Sequence, residues 1–233
     1  MRQPLVDAVC RALAGAADPA RAAGQQAYMK SAMPFRGITA PVLTATLRPI
    51  LTDPALRLQT RAEWAATVLA LWDGAAYREE RYAAIALAGH RAYRGFQDAR
   101  ALPLYRHMVE TGAWWDYVDT IASRRIGPIL RADPARERVR MSRWAREENL
   151  WVRRTAILSQ LQSKAQTDRD LLLDCIEPNL ASREFFIAKA IGWALRQYAH
   201  AGEAPAQWVR EVVAGYGGAM APLSRREALK HLA

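Results

Sequence analysis

The sequence predicts an all-α protein, an α-solenoid of stacked helical hairpins. Three observations point there. Leu, Ala, Arg, Glu and Gln dominate, and the 233 residues contain no convincing alternating β-branched run. Gly and Pro fall at intervals between the periodic runs rather than inside them. The pairs Ala84-Ile85, Thr120-Ile121, Ala156-Ile157 and Gly192-Trp193 recur every 36 residues, each inside a helical pattern. Repeats of that length mark helical hairpins stacked into a superhelix, whose equivalent helices line one concave face. Residues about one repeat apart then meet on that face. With 51% hydrophobic residues the chain can bury a sizeable core, and one domain over residues 1–233 is expected.

The elements follow in order. A first helix is expected from Pro4 to Ala14, and Asp18-Pro19 starts a second that carries Tyr28, Met29 and Lys30. Pro34-Phe35-Arg36-Gly37-Ile38 breaks it. A third runs from Pro41 to Leu51, and a fourth from Arg61 to Trp72 with Trp64, Val68, Leu69 and Trp72 on one stripe. Arg78 to Ala92 is the next, followed by Leu102 to Glu110 and a stop at Thr111-Gly112. The helix containing Trp115 and Asp119 ends near Gly127-Pro128, and Asp133-Pro134 starts a basic helix to Arg146. Asn149 caps Leu150 to Ser163, Thr167 caps Asp168 to Cys175, and Ser182 caps Arg183 to Tyr198. Pro205 to Val213 and Ser224 to His231 finish the chain, with Ser224 and Glu227 spaced as a capping box.

Composition narrows the function. The formal net charge is +10 and the sequence pI about 10.1, which favours polyanionic partners, nucleic acid first. Only four of the basic residues are lysines, so arginine and its bidentate phosphate contacts dominate. Ten arginines face four acids between Arg124 and Arg154. They suit a surface that tracks phosphates, or equally a solvated face of intrahelical ion pairs such as Arg143 with Glu147. Cys10 and Cys175 stand far apart, so neither a disulfide framework nor a zinc site is expected and a reducing cytoplasm fits. The four histidines are scattered, no phosphate loop or dinucleotide fingerprint occurs, and no metal or cofactor is expected. Asp7 interrupts the N-terminal apolar run, and no stretch reaches the length of a membrane span.

The chemistry concentrates in Trp114-Trp115-Asp116-Tyr117-Val118-Asp119. Trp115 and Asp119 are four apart and share a helix face. An aromatic face beside a carboxylate attracts positive charge, so the pair fits a site for a cationic or developing-cationic group. The plainer reading makes the tryptophans core anchors and the aspartates a cap and a solvated face. Trp115 to Arg154 is 39 residues and Arg154 to Trp193 is 39 again, a repeat plus a small offset that brings all three toward one groove. A pure DNA-binding groove gains nothing from a carboxylate facing phosphate, which favours catalysis.

Several stretches resemble the AlkD-type DNA alkylation-repair glycosylases. They are Tyr28-Met29-Lys30 with Pro34-Phe35-Arg36-Gly37-Ile38, the Trp114 to Asp119 run, Trp151-Val152-Arg153-Arg154-Thr155-Ala156-Ile157-Leu158, and Phe185 to Arg196 with Gly192-Trp193 at its centre. Leu223 to Leu229 fits as well, and the likeness runs from about residue 20 to the end. The resemblance implies HEAT-like repeats around a concave basic groove, working as a monomer in the cytoplasm on duplex DNA. It implies hydrolysis of the N-glycosidic bond of positively charged N3- and N7-alkylated purines, without a snug pocket for a flipped base. It makes Asp119 the catalytic carboxylate, Trp115 and Trp193 the aromatic walls, and Arg154 a backbone contact. Tyr28, Lys30, Arg153 and Arg196 are further expected DNA contacts, and Lys164 and Lys189 read as phosphate contacts or equally as plain surface lysines. The alternative is an α-solenoid that binds damaged or branched DNA without catalysis.

Overall fold

The computed structural model of the protein describes residues 1–232, and among them every regular element is helical. No helix among the described residues is long and apolar enough to cross a membrane. The chain divides into two compact units, residues 1–104 and 105–233.

The first unit contains α1 (Gln3–Gly15), α2 (Pro19–Met29), α3 (Ala40–Thr52), α4 (Arg61–Asp73) and α5 (Arg78–Ala88). Leu5, Val9 and Leu13 recur at helical spacing and are buried, so α1 packs on α3, α4 and α5 along one stripe. The Asp18 carboxylate accepts from the Arg21 N–H and opens α2 as expected, with Pro19 in the first turn. In α4, Trp64, Val68 and Trp72 are buried, but Leu69 is only half-buried while Thr67 and Leu71 are buried. The helix is covered on more than one face, so the single stripe was too narrow a reading. The fifth helix stops at Ala88 rather than Ala92. His90 is extended and its imidazole accepts from the Ala92 N–H, which starts a separate 3-10 turn over Arg91–Phe96.

The segment Pro34 to Ile38 is a structural clasp. The fully buried carboxylate of Glu79 accepts the backbone N–H groups of Arg36, Gly37 and Ile38 at 2.9–3.1 Å. Gly37 sits at φ +86°, and a Cβ there would lie 1.9 Å from the Asp18 carbonyl oxygen, so only glycine fits.

α6 (Leu102–Gly112) leads into the second unit, which continues with α7 (Trp115–Ile121), α8 (Gly127–Ala132), α9 (Pro134–Trp144), α10 (Leu150–Leu158), α11 (Arg169–Ile176), α12 (Phe185–Ala199), α13 (Glu203–Tyr216) and α14 (Pro222–Leu229). The 36-residue recurrence appears as packing: α7 lies on α10, and α10 on α12. Its apolar members Ile121, Ala156 and Ile157 are buried, whereas Trp193 is half-buried.

Several boundaries differ from the sequence expectation, each for a long-range reason. Gly127-Pro128 does not end the helix that begins at Trp115. A π turn over Ala122–Ile126 carries it into α8, and Pro128 sits in the first turn there, where a missing N–H costs little. Gly127 serves contact instead: a Cβ would lie 2.5 Å from the Ser159 carbonyl oxygen. Asn149 caps α10 as expected, accepting from the N–H groups of Trp151 and Val152. That helix ends at Leu158, not Ser163, because the Gln160 amide clasps the Asp168 backbone in both directions, at 3.0 and 2.9 Å. Asp168, not Thr167, caps α11, and Thr167 donates back to the Lys164 carbonyl. Ser182 lies in the turn before α12, which starts at Phe185. α14 starts at Pro222, so Ser224 is inside its first turns and makes no capping box with Glu227.

Candidate active site

Three neighbouring helices bring the site together. Ala113, at φ +43°, reverses the chain after α6, and the extended Trp114 lets α7 begin at Trp115. Asp119 then falls one turn on, 9% exposed. On α10, Arg154 is 4% exposed and faces it. The guanidinium meets the carboxylate as a fork: Nε to Oδ1 at 2.8 Å and Nη2 to Oδ2 at 2.8 Å. Arg154 Nη1 donates to the carbonyl of Phe186 on α12. The ion pair thus joins α7, α10 and α12.

Guanidinium has five N–H bonds, and three have partners here, leaving one hydrogen on each terminal nitrogen. Burial pushes the Asp119 carboxyl above its ordinary value. Arg154 offsets this in part, and the nearby Asp116 adds to it. A forked guanidinium is the arrangement that keeps so enclosed a carboxylate charged.

An aromatic cluster supports the pair. The Trp114 ring lies 6.1 Å from Trp151 and edge-on to Phe186 at 5.4 Å, and Trp151 meets Phe186 at 5.0 Å. Trp151 is buried and Trp114 half-buried, so both pack; Trp114 does so from the extended residue before α7, not from the helix itself. Trp208 is half-buried against Tyr198. Trp115 and Trp193 behave differently. Both indoles are half-buried, and among the described residues neither stacks on another ring. Both are thus partly open to solvent without a ring partner, unlike Trp114 and Trp208, which are half-buried against other rings.

The remaining candidates divide. Tyr28 is 77% exposed and Lys30 is exposed at the left-handed end of α2, both in the first unit. Lys164 is exposed on a left-handed turn, at φ +52°. Arg153 donates to the carbonyls of Glu147 and Glu148 at 2.8 Å each. Lys189 and Arg196 both meet Glu227 of α14, at 2.7 and 3.0 Å, so a carboxylate already answers their charges. The basic run is likewise partly internal. Arg138, Arg140 and Arg146 pair with Asp168, Glu137 and Asp174. Glu147 pairs with Arg106 rather than the expected Arg143. Arg124, Arg136 and Arg143 remain exposed.

Sequence reasoning missed Phe186 and Glu227 as members of this assembly. Phe186 acts through its carbonyl, which no side-chain pattern signals. Glu227 sits 38 residues from Lys189, and only the seven-residue spacing of Lys189 and Arg196 on one helix face hinted at a shared partner. Among the described residues no group of three or more His, Cys, Asp or Glu side chains is placed to hold a metal ion.

Comparison with known proteins shows the family. The family model for DNA alkylation repair enzymes matches residues 9–232. A solved chain described as a predicted DNA alkylation repair enzyme from Enterococcus faecalis is 32% identical, with a TM-score of 0.81 over 93% of this chain and 97% of that one. No curated protein matches the sequence.

Proposed function

The chain belongs to the DNA alkylation repair enzyme family, and from that premise we propose that it is a monofunctional DNA glycosylase. Its substrates are positively charged N3- and N7-alkylated purines in duplex DNA. The observation that carries this reading is an enclosed carboxylate, held in a guanidinium fork, one helical turn from a half-buried indole. Alkylation at N7 of guanine or N3 of adenine makes the base a cation and a good leaving group. When the C1′–N bond breaks, its electron pair neutralises the base and the sugar becomes oxocarbenium-like. Asp119 stabilises that charge and takes the proton released by the water whose oxygen bonds to C1′. Trp115 and Trp193 supply π faces to the cationic sugar. Arg154 holds Asp119 in place through the fork, and in this reading its two remaining hydrogens reach a backbone phosphate.

A second reading has one observation in its favour. Both carboxylate oxygens already carry guanidinium hydrogens, as in a purely structural ion pair. The chain would then hold damaged DNA without cutting it. Release of 7-methylguanine from methylated duplex separates the two. Wild type is expected to release the base, and Asp119→Asn to be slower by at least about 10²-fold while still binding DNA. Equal release by a folded Asp119→Asn variant removes the carboxylate from the mechanism. No release by a DNA-binding wild type leaves the non-catalytic reading.

A further inference from the structure

A second polar site lies within the 105–233 unit, away from the Asp119 pair. An open cleft of about 280 Å³ is lined by Arg131, Arg138, Gln160, Ser163, Gln166 and Asp168. Its walls are α8, α9 and the turn that follows α10. Gly127 builds it. The bare backbone lets α8 touch the Ser159 carbonyl, and one turn further along both segments Arg131 stands over Ser163.

The two guanidinia are under-used. Arg131 makes only a long contact to the Ser163 hydroxyl, 3.5 Å. Arg138 makes only a long ion pair to Asp168, 3.4 Å. The walls themselves are fixed: Gln160 is clasped to the Asp168 backbone, and the same carboxylate caps α11. A rigid cleft thus presents two cations with most donors unpaired, beside a hydroxyl and a side-chain amide. Asp168, the carboxylate of the lining, caps α11 through Oδ1 and faces Arg138 through Oδ2 at 3.4 Å.

We propose that this cleft is an anion site that takes a phosphate group between Arg131 and Arg138. Fork-shaped donors match phosphate oxygens, and the Ser163 hydroxyl supplies a neutral donor. The phosphate comes from the backbone of bound DNA, so the site deepens the DNA reading above. Inorganic phosphate has the same chemistry.

Two measurements test it. In the first, inorganic phosphate is titrated into the full chain while the arginine Nε–H resonances are followed by ¹⁵N NMR, with chloride at equal ionic strength as the control. Arg131 and Arg138 are expected to shift with phosphate and not with chloride, and Arg131→Ala to abolish the Arg138 response. In the second, affinity for an unmodified duplex is measured against salt for wild type and Arg131→Ala/Arg138→Ala, with thermal melting to confirm folding. The log–log slope should fall by about 1. Both responses together support a backbone phosphate. The NMR response alone keeps the anion site and moves its ligand to free phosphate. A change in slope without an NMR response reflects general charge and overturns the site, as does the absence of both. Neither measurement needs base release. A wild type that binds no DNA would sink the DNA reading while the phosphate titration still reports on the cleft.

Discussion

At the scale of single residues, burial and partner choice set the chemistry. Asp119 has its carboxyl pushed up by burial and pulled back by Arg154. Base release should therefore fall on the acid side at a pH above the ordinary carboxylate value of 3.8. Arg154→Lys keeps the charge but loses the fork, so that acid limb should move further up, as a pH–rate profile of 7-methylguanine release would record. An unmoved limb would mean that another group titrates. Glu79 is the structural counterpart. Its carboxylate answers three backbone N–H groups at the Pro34 to Ile38 turn. Glu79→Ala leaves those donors buried without partners and should lower unfolding free energy by about 3 kcal/mol or more in urea titrations. A loss under about 1 kcal/mol would show that water replaces the carboxylate.

At the scale of elements, Gly127 and Gly192 bring segments closer than any side chain allows. Gly192 on α12 faces α14, and a Cβ there would lie 2.4 Å from the Glu227 Cβ and 2.7 Å from the Ser224 carbonyl oxygen. Gly192→Ala should displace α14, cost about 1–3 kcal/mol and loosen Glu227 from Lys189 and Arg196, all visible as earlier melting. The same ion-pair cluster gives α12 and α14 a pH dependence. Bonds from Lys189 and then Arg196 hold the Glu227 carboxyl down to about 2 from 4.5. The unfolded chain takes up that proton below about 4.5 and the folded chain does not. Stability from this contact is thus full above pH 4.5 and lost as pH falls toward 2. Glu227→Gln should flatten the acid limb of a melting-temperature profile over that window.

At the scale of the whole molecule, charge is the dominant property. The chain carries +10, yet Arg140, Arg146, Lys189 and Arg196 are paired closely with acids. DNA affinity should fall steeply with salt, but the slope will count only cations free to meet phosphate. Lys164→Ala should lower the slope by about 1, and Lys189→Ala by clearly less, because Glu227 already neutralises Lys189. Equal effects of the two substitutions would show that Lys189 leaves Glu227 when DNA binds.

The sequence by itself determined the helical class, the repeat, most helix starts and the face shared by Trp115 and Asp119. Those features follow from local rules, namely a 3.6-residue period, caps such as Asp18 and Asn149, and glycine or proline punctuation. It did not determine where helices end or which charges pair. Gly127-Pro128 reads locally as a stop, but a π turn and the contact with Ser159 carry the helix through. Ser224 and Glu227 read locally as a capping box, but Glu227 turns to two cations on α12. Above all, Arg154 reads as a phosphate contact, and only the packing of α7 on α10 directs it to Asp119, 35 residues away. Partner choice for a long charged side chain is a matter of which surfaces meet, and tertiary structure alone fixes that.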